Sequence, residues 1–356
     1  MDIGHYVLWS PMESMRLRWI DSLKGFLIFL VVFGHVVTNG ISASIISDKS
    51  IVFANEFVYT FHMPAFFFLS GLFVHNYFKT MDSCIGAFKK CAIRIICLLI
   101  PYMFFSILYW LCKIIFATTG AVNNEVNVID ITLIFIRPIG EYWFLYSLML
   151  FNICFFIFSF IFCKLKNSAL TIILVLLGIS MFILSTFTNE TTWFTGLTRS
   201  LPYFIFFSLG YAFSPIILGD QKCIIKIIFC ICFLALGLSL FLINKYYFSS
   251  NSYVSLGASI LLIFGLTFAS KLLPLKSLSI VGQQSMSIYL IHPFVIVVLR
   301  IILSKLITNE WVYVIIVSSL VCILCFTAYY FVIKKLFFID CFIYPNNYFF
   351  GSLKTY

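Results

Sequence analysis

Ten long apolar runs constrain this sequence more than any other feature. Each run is continuous and is about as long as the roughly 20 residues that an α-helix needs to cross a bilayer. Inside hydrocarbon every backbone polar group must be bonded within the protein, so only helices or a closed barrel can span it. Barrel strands would alternate apolar and polar residues, and these runs do not. The sequence therefore predicts an all-α polytopic membrane protein.

The composition agrees with a bilayer as the solvent. Of the 356 residues, 62% are hydrophobic and 10% are charged, whereas soluble domains carry about 25% charged residues. The first run is not followed by a small-residue cleavage site, so we interpret it as a retained helix rather than a signal peptide. The predicted cores of the ten spans are 20–38, 57–78, 93–117, 142–163, 169–187, 200–218, 224–243, 253–271, 283–304 and 311–333.

The loop charges predict the orientation of these spans. With both termini in the cytoplasm, 16 of the 23 lysines and arginines fall on the cytoplasmic side, and every internal loop obeys the positive-inside rule. Adding or removing one span would destroy this alternation. The net charge of +10 is scattered between apolar runs, so it indicates topology and a partner bilayer rather than nucleic-acid binding.

The chain divides into three predicted parts. Residues 1–15 are expected to be an N-terminal extension, residues 16–340 a transmembrane domain, and residues 341–356 a cytoplasmic tail. Most of the 12 cysteines lie inside apolar runs without metal-ligand spacing. A buried cysteine usually behaves as a small hydrophobic residue, so neither a metal site nor a disulfide framework is predicted.

The first span carries three ionisable residues, Asp21, Lys24 and His35. Lys24 and His35 are eleven residues apart, which places them on one helical face, about 16 Å apart along the axis. Intramembrane ionisable groups are costly and are functional candidates by default. Asp21 and Lys24 could instead flank the membrane and snorkel, and His35 could be a satisfied structural histidine. The functional interpretation is that His35 acts as a base or nucleophile.

Other polar residues are expected at the same outer depth as His35. His62 lies near the outer end of the second span, Glu141 begins the fourth, and Arg199 begins the sixth. Their common depth predicts a site in the outer half of the bundle, with Glu141 or another carboxylate able to fix the tautomer of the imidazole.

Two further residues are candidates for binding a substrate there. His292 lies near mid-depth in the ninth span, where Pro293 frees a backbone carbonyl. Trp143 follows Glu141 at the start of the fourth span. The alternative for Trp143 is an aromatic anchor at the membrane interface.

A basic cluster marks the cytoplasmic side. Lys89, Lys90 and Arg94 cluster around the second loop, and together with Lys24 they are suited to bind a phosphate-bearing donor such as coenzyme A. The alternative is that these charges serve topology alone.

Five stretches of the sequence, in order, resemble signatures of one family. They are RWIDSLKGFLIFLVVFGH, FHMPAFFFLSG, YWFLYSL, LPYFIFFSLGY and GQQSMSIYLIHP. The resemblance is to the acyltransferase-3 family of integral-membrane O-acyltransferases, and it spans roughly residues 16–295. Its first-helix pattern of a basic residue, ten residues and then histidine is met by Lys24 and His35. Lysine replaces the more usual arginine, which keeps the charge but not the bidentate fork.

The resemblance implies a function and roles for these residues. The donor would be cytoplasmic acetyl-CoA, and the acceptor a sugar hydroxyl on a cell-surface or secreted glycan or its lipid-linked precursor, at the inner (plasma) membrane. The chain resembles the stand-alone type of the family, in particular the fucose O-acetylases. The expected catalytic residues are His35 and Glu141. The expected substrate-binding residues are Asp21, His62, Trp143, Arg199 and His292, and those for coenzyme A are Lys24, Lys89, Lys90 and Arg94.

Two other functional classes remain open at this stage. Ten spans with polar groups near the midplane also suit a transporter or flippase for a glycan lipid. No repeat relates the two halves of the sequence, which disfavours the inverted-repeat transporters. A non-catalytic membrane protein is the third class, and the presence of His35, His62 and His292 argues modestly against it.

Overall fold

The computed structural model describes residues 17–79, 84–117, 127–162, 167–188, 195–248 and 252–349, so the predicted extension 1–15 lies outside them. Within these ranges the chain is helical and contains no β-strand. Ten segments there are long and apolar enough to cross a membrane, which confirms the predicted number of spans and the all-α polytopic class. The side on which α1 begins is expected to be cytoplasmic from the loop charges, and the opposite side is called the outer side.

The described residues form fourteen α-helices. They are α1 (Arg18–Ser42), α2 (Lys49–Lys79), α3 (Cys84–Ile115), α4 (Trp143–Ile161), α5 (Asn167–Phe187), α6 (Thr195–Ser200), α7 (Phe204–Leu218), α8 (Cys223–Tyr247), α9 (Ser252–Leu272), α10 (Lys276–Gln283), α11 (Ser285–Leu303), α12 (Glu310–Thr327), α13 (Phe337–Ile343) and α14 (Asn346–Phe349). Helices α6 and α7 form one span through a 3-10 turn at Leu201–Tyr203. Helix α12 continues its span through a π-helix at Ala328–Val332.

Helix α1 is the centre of the bundle. It is the most buried of the ten spans, whereas α8 is the least buried. It packs against α2, α9, α10, α11 and α12. Asp21, Lys24 and His35 of α1 are therefore buried or partly buried by the surrounding helices. Asp21, for example, is 3% exposed.

Helix α2 begins at Lys49, eight residues before the apolar core predicted at residue 57. Its first two turns carry polar residues such as Asn55 and Glu56, so their mean hydropathy is too low to mark a span. They are helical because apolar residues at helical spacing, Ile51 and Val58, are buried against the bundle. The extra turns extend a polar helical surface on the outer side.

Glycine pairs allow the helices to cross at close range. Gly71 of α2 faces Gly210 of α7, and a Cβ built on either glycine would overlap a backbone carbonyl oxygen of the facing helix, that of Phe207 or of Phe68. Small residues at such crossings let backbones approach, which increases packing between helices that gain no hydrophobic driving force in lipid.

The C-terminal helices pack on the bundle. The Asp340 carboxylate of α13 is 3% exposed and accepts a hydrogen bond of 2.8 Å from the Tyr329 hydroxyl and another from the Tyr348 hydroxyl. Phe342 stacks on Phe104 of α3 with ring centroids 4.3 Å apart. The first residues of the predicted tail 341–356 are thus packed against the helices that precede them.

We expect Gly71→Ala and Gly210→Ala to destabilise the fold, because the added methyl group must displace the backbone of a facing helix. Overpacking of this kind costs about 1–3 kcal/mol. Gly257→Ala is the matched control, since a Cβ there meets only the Cδ1 atom of Leu240, at 3.6 Å. Thermal unfolding in detergent measures the effect. Equal midpoints for Gly71→Ala and Gly257→Ala would contradict the close crossing of α2 and α7.

Candidate functional site

A cavity of about 920 Å³ lies in the outer half of the bundle. His35 of α1, His62 of α2, Glu141 and Trp143 at the start of α4, and Arg199 of α6 all line it. These residues are far apart in sequence, and the packing of the helices brings them to one cavity. For His35, His62, Glu141 and Arg199, this convergence is what their common depth predicted.

His35 and Glu141 form a close pair inside this cavity. The Nε2 atom of His35 lies 3.3 Å from Oε2 of Glu141, and the two side chains are 14% and 26% exposed. A carboxylate in this position can accept the Nε2–H of a neutral imidazole and stabilise an imidazolium. In that tautomer Nδ1 carries the basic lone pair. The pair thus has the geometry of a base and the group that orients it.

A backbone turn places Glu141 at the cavity. Gly140 has a φ of +58°, in the left-handed region, and begins a 3-10 turn at Gly140–Tyr142. A Cβ at Gly140 would lie 2.6 Å from the ring of Tyr109. Glycine is therefore needed here both for its backbone angle and for the space.

Two tyrosine hydroxyls hold this turn against α11. The Tyr289 hydroxyl donates to the carbonyl oxygen of Glu141, and the Tyr142 hydroxyl donates to the carbonyl oxygen of Leu290 at 2.9 Å. Both bonds are buried or partly buried, so they restrict the position of Glu141 relative to α11.

The proline of α11 determines how His292 is bonded. Pro293 has no N–H to give to the carbonyl of Tyr289, one turn earlier. The Nδ1 atom of His292 lies 2.7 Å from that carbonyl oxygen and, because a carbonyl only accepts, Nδ1 donates. A neutral His292 then presents Nε2 as an acceptor, which is buried and has no hydrogen-bond partner among the described residues. Its ring lies 5.1 Å from that of His35.

The imidazole of His35 differs from those of His62 and His292 in how it is bonded. His62 donates from Nδ1 to the carbonyl oxygen of Val58 at 2.7 Å, just as His292 is held to its own helix. Across the described ranges, no comparable hydrogen bond holds the imidazole of His35 to the backbone of α1. Its contacts are instead with the carboxylate of Glu141 and the ring of His292.

Arg199 lies over the indole ring of Trp143, with its guanidinium carbon 4.5 Å from the ring centroid. Trp143 is 6% exposed, so it is buried under the arginine rather than anchored at the lipid interface. Arg199 is not among the residues that form ion pairs in the described ranges. Its N–H donors are directed by the stacked ring and are suited to an oxygen bound in the cavity.

Six of the eleven predicted site residues do not line the outer cavity. One of them is His292, whose ring packs against that of His35. Asp21 is buried where α1 crosses α10, and its carbonyl oxygen lies against Gly282. The ammonium group of Lys24 lies 5.7 Å from the ring centroid of Phe73. Lys24 and His35 are separated by about 16 Å along α1. The others are Lys89, Lys90 and Arg94, in the first turns of α3.

The cavity also contains residues that the sequence did not single out, notably Asn55, Tyr59 and Tyr289. Tyr59 packs on Gly34, where a Cβ would lie 2.8 Å from its ring, next to His35. Tyr289 could have been identified from the sequence by its position one turn before His292. Asn55 lay in a stretch that hydropathy alone did not identify as part of a span.

A protein-family model described as an acyltransferase domain matches residues 17–330, most of the chain. No curated protein and no solved structure shows significant similarity to it.

We expect diethyl pyrocarbonate to acylate His35 in the folded protein and to spare His292. The reagent needs an accessible neutral ring nitrogen, and the side chain of His35 is 14% exposed whereas His292 is 0% exposed. Mass spectrometry of the digested protein measures the modification of each residue, and the denatured protein, in which both should react, is the control. Equal modification of the two in the folded protein would contradict the burial described here.

Proposed function

Because the chain belongs to the acyltransferase-3 family of membrane acyltransferases, we propose that it is an O-acetyltransferase that moves an acetyl group from acetyl-CoA to a sugar hydroxyl. The family match confirms the resemblance seen in the sequence and supports acyl transfer. The acetyl donor and the glycan acceptor are the proposed refinements.

One observation carries the chemistry: the imidazole of His35 lies beside the carboxylate of Glu141 in an outer cavity. In the proposed reaction, Nδ1 of His35 removes the proton of the acceptor hydroxyl as its oxygen attacks the thioester carbonyl. The C–O bond forms, the C–S bond breaks, and the departing thiolate of coenzyme A takes the proton from His35. Glu141 stabilises the imidazolium between these two steps.

Charge also develops on the carbonyl oxygen of the thioester. Arg199 is the cation that lines the same cavity, and its position over Trp143 directs its donors without a carboxylate partner among the described residues. We assign it the stabilisation of this oxyanion. His62, with Nδ1 already bonded to its own helix, presents Nε2 to the acceptor.

The donor is proposed to enter from the cytoplasmic side. Lys24, Lys89, Lys90 and Arg94 would bind its phosphates, and the pantetheine arm would extend along α1 to His35, a distance of about 16 Å from Lys24. A cytoplasmic donor fits the proposed location of the enzyme in the plasma membrane, with both termini inside the cell. Residues 16–340 are then the acyltransferase domain, with an extension before it and a tail after it.

His35 has two possible roles in acetyl transfer: it can act as a base, or it can accept the acetyl group itself for a short time. A transporter of glycan lipids would use the same kind of cavity but would leave acetyl-CoA intact, and membership of an acyltransferase family favours the enzyme.

We expect His35→Gln to lower turnover by about 10²-fold or more, since general-base catalysis contributes on that order. Glu141→Gln should lower kcat by a smaller factor, because the neutral amide cannot stabilise the imidazolium. Thiol release from acetyl-CoA, measured with a chromogenic disulfide, and NMR of the O-acetylated glycan are the two readouts.

The control for these variants is Ser239→Ala, a change at an exposed position on α8. Size-exclusion profiles in detergent verify folding. Undiminished acetylation by a folded His35→Gln protein would refute the role of the histidine. A wild-type protein that moves a glycan lipid but never consumes acetyl-CoA would favour the transporter.

We expect Arg94→Gln to raise the KM for acetyl-CoA about tenfold, the loss of one charge-assisted hydrogen bond. The same variant should leave the KM for S-acetylpantetheine unchanged, because that donor lacks the phosphates. Lys335→Gln, an exposed change at the predicted cytoplasmic end of the α12 span, is the control. A KM that rises equally for both donors would show that Arg94 does not bind a phosphate.

A further inference from the structure

The wall of the outer cavity that α5 contributes is rich in oxygen atoms that can only accept. Ser185, Thr186 and Thr188 line the cavity. Their hydroxyls donate to backbone carbonyls of α5, at 2.6, 2.7 and 3.1 Å respectively. Because each hydroxyl has one proton and that proton is in use, each oxygen offers lone pairs to a bound group.

The wall formed by α1 and α2 has the same character. The Thr38 hydroxyl donates to the carbonyl oxygen of Gly34 at 2.8 Å. The Tyr59 oxygen lies 3.4 Å from that of Thr38, so in this contact Tyr59 is the donor. His62 donates from Nδ1 to its own helix, which leaves Nε2 as an acceptor. Three more side chains of the cavity therefore present lone pairs.

Asn55 adds an acceptor that has no partner. Its side chain lines the cavity, and its Oδ1 atom is buried without a hydrogen bond among the described residues. Buried polar atoms are normally bonded, and an exception requires an explanation such as an absent ligand. The neighbouring Glu56 also lines the cavity and forms an ion pair with Lys245.

The charges around the cavity are balanced. Glu56 is paired with Lys245, and Arg199 lines the cavity together with Glu141. The two carboxylates and two cations leave no excess positive charge to attract an anion. An acidic group would bring only acceptors to the part of the wall formed by Thr38, Asn55, His62 and the α5 hydroxyls, because Arg199 is assigned to the thioester oxyanion.

We propose that this wall is the acceptor-recognition site and that it binds a neutral, polyhydroxylated sugar ring in preference to an acidic one. The proposal rests on the proposed function, since it places the acceptor beside His35. The hydroxyls of a neutral sugar can donate to these wall acceptors, with Asn55 and Ser185 as specificity-determining residues. A carboxylate on the ring would face these oxygens without donors and would lose its hydration.

Two matched acceptors test the preference. p-Nitrophenyl β-D-glucopyranoside and p-nitrophenyl β-D-glucuronide differ only at C6, which is a neutral alcohol in the first and a carboxylate in the second. With acetyl-CoA as donor, we expect kcat/KM for the glucoside to exceed that for the glucuronide at least tenfold. An equal or greater kcat/KM for the glucuronide would overturn the proposal.

Variants then assign the preference to this wall. Asn55→Leu and Ser185→Ala should each raise the KM for the glucoside about 2–10-fold, the range expected for one hydrogen bond, while the KM for acetyl-CoA stays unchanged. Ser180→Ala is the matched control, because this serine also lies on α5 and donates to its own backbone, at 2.9 Å, but is exposed outside the cavity. An unchanged KM for the glucoside in both cavity variants would also overturn the proposal.

If the wild type acetylates neither small glycoside, the neutral and acidic polysaccharide fractions of the producing cells replace them, with alkali-labile acetate as the readout. Acetate that depends on this protein and is confined to the neutral fraction supports the proposal, and acetate in the acidic fraction overturns it. Failure of the proposed function looks different: no acceptor stimulates thiol release from acetyl-CoA in the wild type, whichever sugar is supplied.

Discussion

Within a bilayer each backbone polar group must find a partner in the protein, and this constraint governs how the site is built. Where the regular helices are interrupted beside the cavity, side chains take over the bonding. His292 donates to the Tyr289 carbonyl that Pro293 cannot serve, and the Tyr289 hydroxyl in turn donates to the carbonyl of Glu141. The interruptions are therefore stabilised by the same residues that orient the histidine and carboxylate of the cavity.

A second consequence of the lipid environment is the central position of α1. Helices in lipid gain little from burying apolar surface against one another, so close packing and polar contacts decide their arrangement. A helix with Asp21, Lys24 and His35 on it is costly against lipid and is stabilised when protein surrounds it. The close crossings at Gly71 and Gly210 bring α2 and α7 together. The outer ends of α1, α2, α4, α5 and α6 contribute residues to one polar cavity.

The features of the fold that the sequence predicts, such as the number of spans, depend on properties averaged over long segments. Hydropathy identified the ten spans because each contains a window long and apolar enough to cross a membrane, and the common depth of His35, His62, Glu141 and Arg199 predicted their convergence. The sequence did not predict Asn55 and Tyr289 as residues of the site, because their position in the cavity depends on neighbours from other helices. The sequence also did not predict that α2 starts at Lys49. Its first turns are stabilised by packing against the bundle, and their hydropathy is too low to mark a span.

Composition and the order of the motifs by themselves determined that this chain is a helical membrane protein of an acyltransferase family. They also placed a histidine in the outer half of the first span, since depth along a helix is a simple function of residue number. Only the tertiary structure decided that Glu141 is the partner of His35, that His292 lies behind it, and that the cavity wall presents acceptors. The rotation of each helix and the direction of each hydroxyl proton are set by packing against other helices, and no linear pattern records them.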